Sequence, residues 1–292
     1  MRRYTGWIAV LSVLAPGCNV ESSAHGRVVF ASDRDGTPEI YVLDLKSQGL
    51  LRLTENDSLD TNPDWSPDGS RVAFTSNRDG DFDLYTMSSD GSDVVALTHD
   101  DVDEGAADWS PDGSRLVFDK ADNDGVLQVF VVAADESNQP VALTTGAANG
   151  KPVFSPDGTK VAFISLRDGD QEVYVMVADG SNQVNVTENP GGDILPSWSP
   201  DGSQIAFVSN REGNREIYVM AANGSGIKRL TNDPAEDSNP TWSPDGKFIA
   251  FTSNRDGNVE IYVMRRDGSH IENMTHSPSW DFVPDWTPSS SR

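Results

Sequence analysis

Cysteine is almost missing from this chain: its 292 residues hold one, Cys18. A lone thiol excludes an intramolecular disulfide framework. Histidine is scarce as well, with four present: His25, His99, His270 and His276. A histidine-based metal centre needs several imidazoles to converge. The repeat described below puts His25 in an N-terminal tether, His270 in a turn, and His99 and His276 in loops of non-adjacent units. Cations are outnumbered, with 22 Lys and Arg against 46 Asp and Glu, for a net charge of −24. A surface this acidic repels phosphate backbones and anionic headgroups, so nucleic acid is not an expected partner. No G-x-S-x-G nucleophile elbow occurs, and the many serines sit in turn positions. An enzyme is therefore not the expected class.

Long hydrophobic runs are lacking too. The N-terminal apolar stretch Trp7–Leu14 follows Arg2 and Arg3 and is too short to span a bilayer as a stable helix. Small residues then lead to Cys18. The run Leu14-Ala15-Pro16-Gly17-Cys18 resembles a bacterial lipoprotein signal, although Ala15 and Pro16 depart from its usual pattern. The expectation is a signal peptide over 1–17, lipidation at Cys18 and a polar tether over 18–26, with plain secretion as the alternative. Membrane contact would then be through lipid alone. The chain is expected to be exported, periplasmic or anchored to the outer membrane, and monomeric.

What is abundant is Trp-Ser-Pro-Asp-Gly. It stands at Trp65–Gly69, Trp109–Gly113, Phe154–Gly158 (with Phe for Trp), Trp198–Gly202 and Trp242–Gly246, and a degraded copy starts at Trp286. The anchors are 44, 45, 44, 44 and 44 residues apart. Such a period marks a repeat architecture. Each period holds the anchor, a Pro-Asp-Gly turn, an apolar run such as Val72-Ala73-Phe74, a second Gly turn, a run such as Leu84-Tyr85-Thr86-Met87, and a short Leu-Thr segment. These runs are too short for helices, rich in β-branched and aromatic residues, and joined by turns of hairpin length. They read as four antiparallel strands, A to D.

The first ordered unit opens in mid-repeat. Arg27–Phe30 reads as a B strand, Ile40–Val42 as C and Leu51–Thr54 as D, while the matching A strand comes last, at Val283–Trp286. The reading is all-β: a six-bladed β-propeller over 27–292, closed by a C-terminal A strand joining three N-terminal strands. Closing the ring in this way protects the sheet edges. The anchor aromatics and the ladder Tyr41, Tyr85, Phe130, Tyr174, Tyr218 and Tyr262 are expected to pack between blades.

The unit W-S-P-D-G…I-A-F-x-S-N-R-D-G…I-Y-V-M…D-G-S…L-T resembles the WD40-like repeat of the TolB propeller family over Arg27–Trp286. It is also similar to the propeller portions of prolyl-oligopeptidase-type enzymes. The first resemblance implies a non-catalytic binding module of the bacterial cell envelope. Such a module presents one face, or its central channel, to a protein or peptide. The α/β domain that precedes the propeller in that family is expected to be missing, as fewer than ten residues separate Cys18 from the first strand. The alternatives are a glycan-binding or glycan-processing propeller, of the kind that acts on oligogalacturonides, and a purely structural member of an envelope complex.

Five residues before each anchor stand Asp60, Glu104, Asn149, Asp193, Asp237 and Asp281. Five carboxylates would thus ring one mouth of the channel. The loops on the same face carry Arg34, Arg78, Asn123, Arg167, Arg211 and Arg255, each 26 residues before one of those positions. Asn123 coincides with Asn149, so the expected arrangement is an Arg–carboxylate pair at that spacing. The competing reading is a ring that attracts a basic peptide segment or a channel-bound cation such as calcium. The Asp-Gly turns, for example Asp33–Gly36 and Asp122–Gly125, lack the twelfth-position Glu and flanking helices of a calcium loop and are read as hairpin turns.

Overall fold

The computed structural model describes residues 24–135 and 139–288. Cys18 and the signal segment over 1–17 lie outside the described residues. Every regular element described is a strand, and the 24 strands form six four-stranded antiparallel sheets. Blade 1 covers residues 60–96, blade 2 104–142, blade 3 149–185, blade 4 193–229 and blade 5 237–273. Blade 6 joins β24 (Asp281–Trp286) to β1 (Arg27–Ser32), β2 (Glu39–Asp44) and β3 (Gly49–Arg52), in the order β24-β1-β2-β3. The split blade thus closes the ring as the sequence implies.

Burial follows strand position. B strands such as β5 (Arg71–Ser76) and C strands such as β6 (Asp83–Ser88) are buried on both faces, because each blade is covered by its two neighbours. Every A strand shows the same alternation, with its first, fourth and sixth residues buried. The core is accordingly split into inter-blade clusters: Trp65, Val72 and Phe74 of blade 1 pack on Val29, Ile40 and Val42 of blade 6. Within each blade a B-strand Phe lies against the C-strand aromatic, at centroid separations from 5.6 Å (Phe74–Tyr85) to 6.1 Å (Phe30–Tyr41). The D strands are short and exposed. In blade 1 this strand is β7 (Val95–Ala96), two residues before the expected Leu97-Thr98. Leu97 and Thr98 instead turn inward onto β6: the Leu97 N–H donates to Leu84 O at 2.7 Å, and Thr98 Oγ1 accepts from the Leu84 N–H at 2.8 Å.

Two turns hold the blades in place. In Ser66-Pro67-Asp68-Gly69, the Asp68 carboxylate accepts from Ser66 Oγ at 2.7 Å and the Ser70 N–H at 3.0 Å, and Gly69 takes a φ of +67°. At the C–D turns, Gly91, Gly180, Gly224 and Gly268 have φ between +84° and +91°. A Cβ at any of them would lie within 2.6 Å of a carbonyl oxygen in the preceding blade, so glycine is needed for blade contact as well as for the turn.

Candidate functional site

The six positions that open the A strands are all buried, with at most 3% exposure. The carboxylates Asp60, Glu104, Asp193, Asp237 and Asp281 therefore do not form an open ring of charge at the channel mouth. The A–B hairpin register explains what covers them. Asp60 lies opposite Ser76, and Arg78, two residues further on, folds back over the strand end. Its Nε donates to Ser76 Oγ at 2.9 Å and its Nη2 to both Asp60 oxygens at 3.1 Å. Arg255 holds both Asp237 oxygens at 2.9 Å, Arg34 holds Asp281 at 2.8 and 2.9 Å, and Arg211 holds Asp193 at 2.8 Å. Each guanidinium also lies over its blade's aromatic pair, Arg78 at 5.3 Å from Phe74 and 4.6 Å from Tyr85.

This corrects the expected pairing. Each Arg binds the residue that opens the A strand of its own blade, an acid 18 residues earlier in blades 1, 4 and 5. The acid 26 residues later belongs to the next blade. The link between Asn123 and Asn149 also dissolves. In blade 2 the exposed Asn123 is replaced by Lys120 from the B strand, which binds Glu104 Oε1 at 2.8 Å and also Asp100. Asn149 belongs to blade 3, where its Oδ1 accepts from Arg167 at 3.0 Å. Burial pushes the Glu104 carboxyl up to about 7, against the opposing pull of Lys120 and Thr98.

A second buried polar layer, not anticipated from the sequence, stands beside the first. Glu39, Asp83, Glu172, Glu216 and Glu260 open their C strands, and Gln128 stands second in its own, Leu127–Ala133. In blade 4, Glu216 accepts from Thr231 Oγ1 at 2.6 Å, the Asp233 N–H at 2.9 Å and Arg229 at 2.7 Å. The available signal was a polar residue recurring at the head of an otherwise apolar strand. Together the two layers tie the D–A and B–C loops of one face to the strand ends.

The channel itself is lined by the three residues before each anchor, around a cavity of 140 Å³. Its acids are Asp64, Asp108 and Asp285, on the A strands of blades 1, 2 and 6, while Val153, Ser197 and Thr241 hold the equivalent positions elsewhere. Lys151 lines the channel beside them. The three residues are half-buried and line the channel. Each accepts a main-chain N–H from the next blade: Asp285 from Trp65 at 3.0 Å, Asp64 from Trp109 at 3.0 Å, Asp108 from Phe154 at 2.7 Å. Thr241 Oγ1 adds a contact to Asp285 at 3.2 Å. Loss of hydration, followed by mutual repulsion, pushes Asp64 well above the usual carboxylate range. Loss of hydration also raises Asp108 and Asp285. These channel acids were missed from the sequence, where the signal was Pro63-Asp64-Trp65 and Pro284-Asp285-Trp286.

The channel strands are bulged, each with a register shift beside its A–B pairing, as between Thr61 and Asp64. Asn62, Lys151, Leu195, Asn239 and Val283 all take φ near +50° there, a conformation that is costly for a β-branched residue such as Val283. The four histidines are exposed on separate loops. Among the described residues no group of three His, Cys, Asp or Glu is placed to hold a metal ion.

Six radial four-stranded sheets around a narrow acidic channel, locked at one face by Arg–carboxylate pairs, define a closed β-propeller. The model of the TolB beta propeller domain matches in four overlapping stretches, residues 15–148, 102–190, 136–229 and 186–292. The chain belongs to that family. A 44-residue segment is 43% identical to the Tol-Pal system protein TolB of Geobacter sulfurreducens, covering 15% of this chain and 10% of that protein. The match thus spans about a tenth of the curated relative's length. Among solved structures, TolB from Acinetobacter baumannii superposes with a TM-score of 0.81 at 20% identity, over 90% of this chain and 67% of that one. An oligogalacturonate lyase in complex with manganese gives a TM-score of 0.63 at 19% identity, over 85% and 73%. At these identities the two structures share the fold.

Proposed function

We propose that this propeller is a non-catalytic binding module of the bacterial cell envelope, exported, held by a lipid on Cys18, and presenting its channel-mouth face to a protein partner. The carrying observation is the contrast between channel and face. The channel cavity of 140 Å³ is well below the roughly 300–1,000 Å³ of small-molecule clefts. Around it the loops are held by buried ion pairs, which gives a broad, rigid rim suited to another macromolecule. Family membership supports the same reading, since the relative over the matched 44 residues is a Tol-Pal system protein. Both described chain ends, Ala24–Arg27 and Trp286–Pro288, lie at the opposite face, where A–B turns gather, so a lipid on Cys18 would leave the channel-mouth face turned outward.

The test is cross-linking in native envelopes, with fractionation of the wild type and of Cys18→Ser. The wild type should fractionate with membranes and cross-link to a discrete envelope protein. Cys18→Ser should leave the membrane fraction while keeping its melting temperature. An unchanged membrane level in Cys18→Ser would refute the lipid anchor. Release of unsaturated product from oligogalacturonate would refute the non-catalytic reading.

A further inference from the structure

The channel-mouth face repeats one small device. In each D–A loop the residue just before the buried A-strand position is pinned by the neighbouring B–C loop. The Leu59 N–H donates to Asn77 Oδ1 at 2.7 Å, that of Gly192 to Asn210 at 2.8 Å, that of Glu236 to Asn254 at 2.9 Å and that of Trp280 to Asp33 at 2.8 Å. The bond is returned in three of these, with Asp33 N–H reaching Trp280 O at 3.2 Å. Ala148 O accepts from the Leu166 N–H at 3.0 Å. In blade 2 the Asp103 carboxylate itself accepts the Phe82 N–H at 2.9 Å. Leu59, Gly192, Glu236 and Trp280 thus share one main-chain contact, Ala148 keeps only the return bond and Asp103 is held through its carboxylate, while the side chains differ.

Around the ring from blade 5 these side chains read Glu236, Trp280, Leu59, Asp103, Ala148 and Gly192. Trp280 is 57% exposed and Leu59 37%, and Trp280 is the single exposed tryptophan among the described residues. An exposed apolar pair on a pinned backbone presents anchor area at little entropic cost. Glu236 and Asp103 flank that pair, both exposed, each using one main-chain N–H to fix its carboxylate. Ala148 and Gly192 leave the far side of the rim low.

Resting on the binding-module reading, the structure assigns these positions as a recognition ring for a protein segment with an apolar residue between two basic ones. The apolar residue packs on Trp280 and Leu59, the cations meet Glu236 and Asp103, and the segment leaves over Ala148 and Gly192. The charge complementarity follows from the order of the ring, and the net charge of −24 steers a basic segment towards it.

The experiment is selection of random phage-displayed peptides on the intact protein, followed by fluorescence anisotropy with the labelled consensus peptide. Enriched sequences should carry an aromatic or aliphatic residue flanked on both sides by Lys or Arg. Trp280→Ser should weaken the peptide by about tenfold or more. Glu236→Gln and Asp103→Asn should each weaken it about threefold to tenfold and flatten its salt dependence. Asp112→Asn, on the opposite face, should leave it unchanged. Peptide should also shield Trp280 from acrylamide quenching. Unaltered affinity in Trp280→Ser, a consensus without flanking bases, or no enrichment at all overturns the ring. So does shielding of Trp280 by oligogalacturonate instead of peptide. A partner found by envelope cross-linking that is indifferent to Trp280→Ser would sink the ring and leave the binding module standing.

Discussion

Removing one guanidinium from the face tests the buried frame most directly, and Arg255 is the clearest case. It makes two 2.9 Å bonds to Asp237 and one to Ser253 Oγ at 2.9 Å, and it covers Phe251 at 5.5 Å and Tyr262 at 4.9 Å. Asp237 is fully buried, whereas the Arg255 side chain keeps 16% exposure. Breaking a buried pair costs about 3–5 kcal/mol and an exposed one about 0–1 kcal/mol. The wet edge of the guanidinium puts Arg255→Ala at about 2–4 kcal/mol, mostly from an uncompensated buried carboxylate. Asp237→Asn should cost about 1 kcal/mol, because the fold already accepts an amide there: Asn149 receives Arg167 at 3.0 Å. The double variant removes both charges together, so the cycle should show a coupling of about 1–2 kcal/mol. The pair 26 residues apart is the control, since Arg211 and Asp237 sit in different frames and should be additive within about 0.5 kcal/mol. Guanidinium denaturation of the four proteins in each cycle measures both couplings. An Arg255–Asp237 coupling indistinguishable from zero, or a larger one for Arg211–Asp237, would refute the frame.

Stability should depend on pH in two opposite ways. Asp108 and Asp285 are pushed up to about 8 and about 6, so the folded state binds more protons than the unfolded one, and stability should fall as pH rises from about 4 to about 8. Asp112, Asp157 and Asp201 are held down to about 2 by their turn hydrogen bonds, so their contribution is present above about pH 4 and fades below it. Thermal unfolding should thus peak near about pH 4–6, and Asp108→Asn should reduce the alkaline decline; a profile unchanged in that variant removes the channel acids as its cause. Deleting Asp281–Arg292 takes away β24, bares β1 as an edge and removes Asp285 from its bond to Trp65, so the truncation should unfold or aggregate. A monomeric truncation with the parental melting temperature would contradict closure through that strand.

Much of this architecture is local information repeated six times. The Trp-Ser-Pro-Asp-Gly turn, the alternation around it and the 44-residue spacing fix strand order within a blade, because hairpin geometry is set by neighbouring residues. The offset between the first unit and the last then dictates ring closure. Which arginine meets which carboxylate was not legible. Residues 18 and 26 apart are equally plausible on a period of 44, and only the A–B register, Asp60 opposite Ser76, folds Arg78 onto its own blade. Nor could sequence reveal that Asp64, Asp108 and Asp285 form one cluster, since they lie 44 or more residues apart and meet only where six inner strands converge on the axis. Local turns and periodicity determined the blade; curvature of the closed ring decided which side chains share the low-dielectric space at its centre, and so which carboxyls are pushed above the usual range.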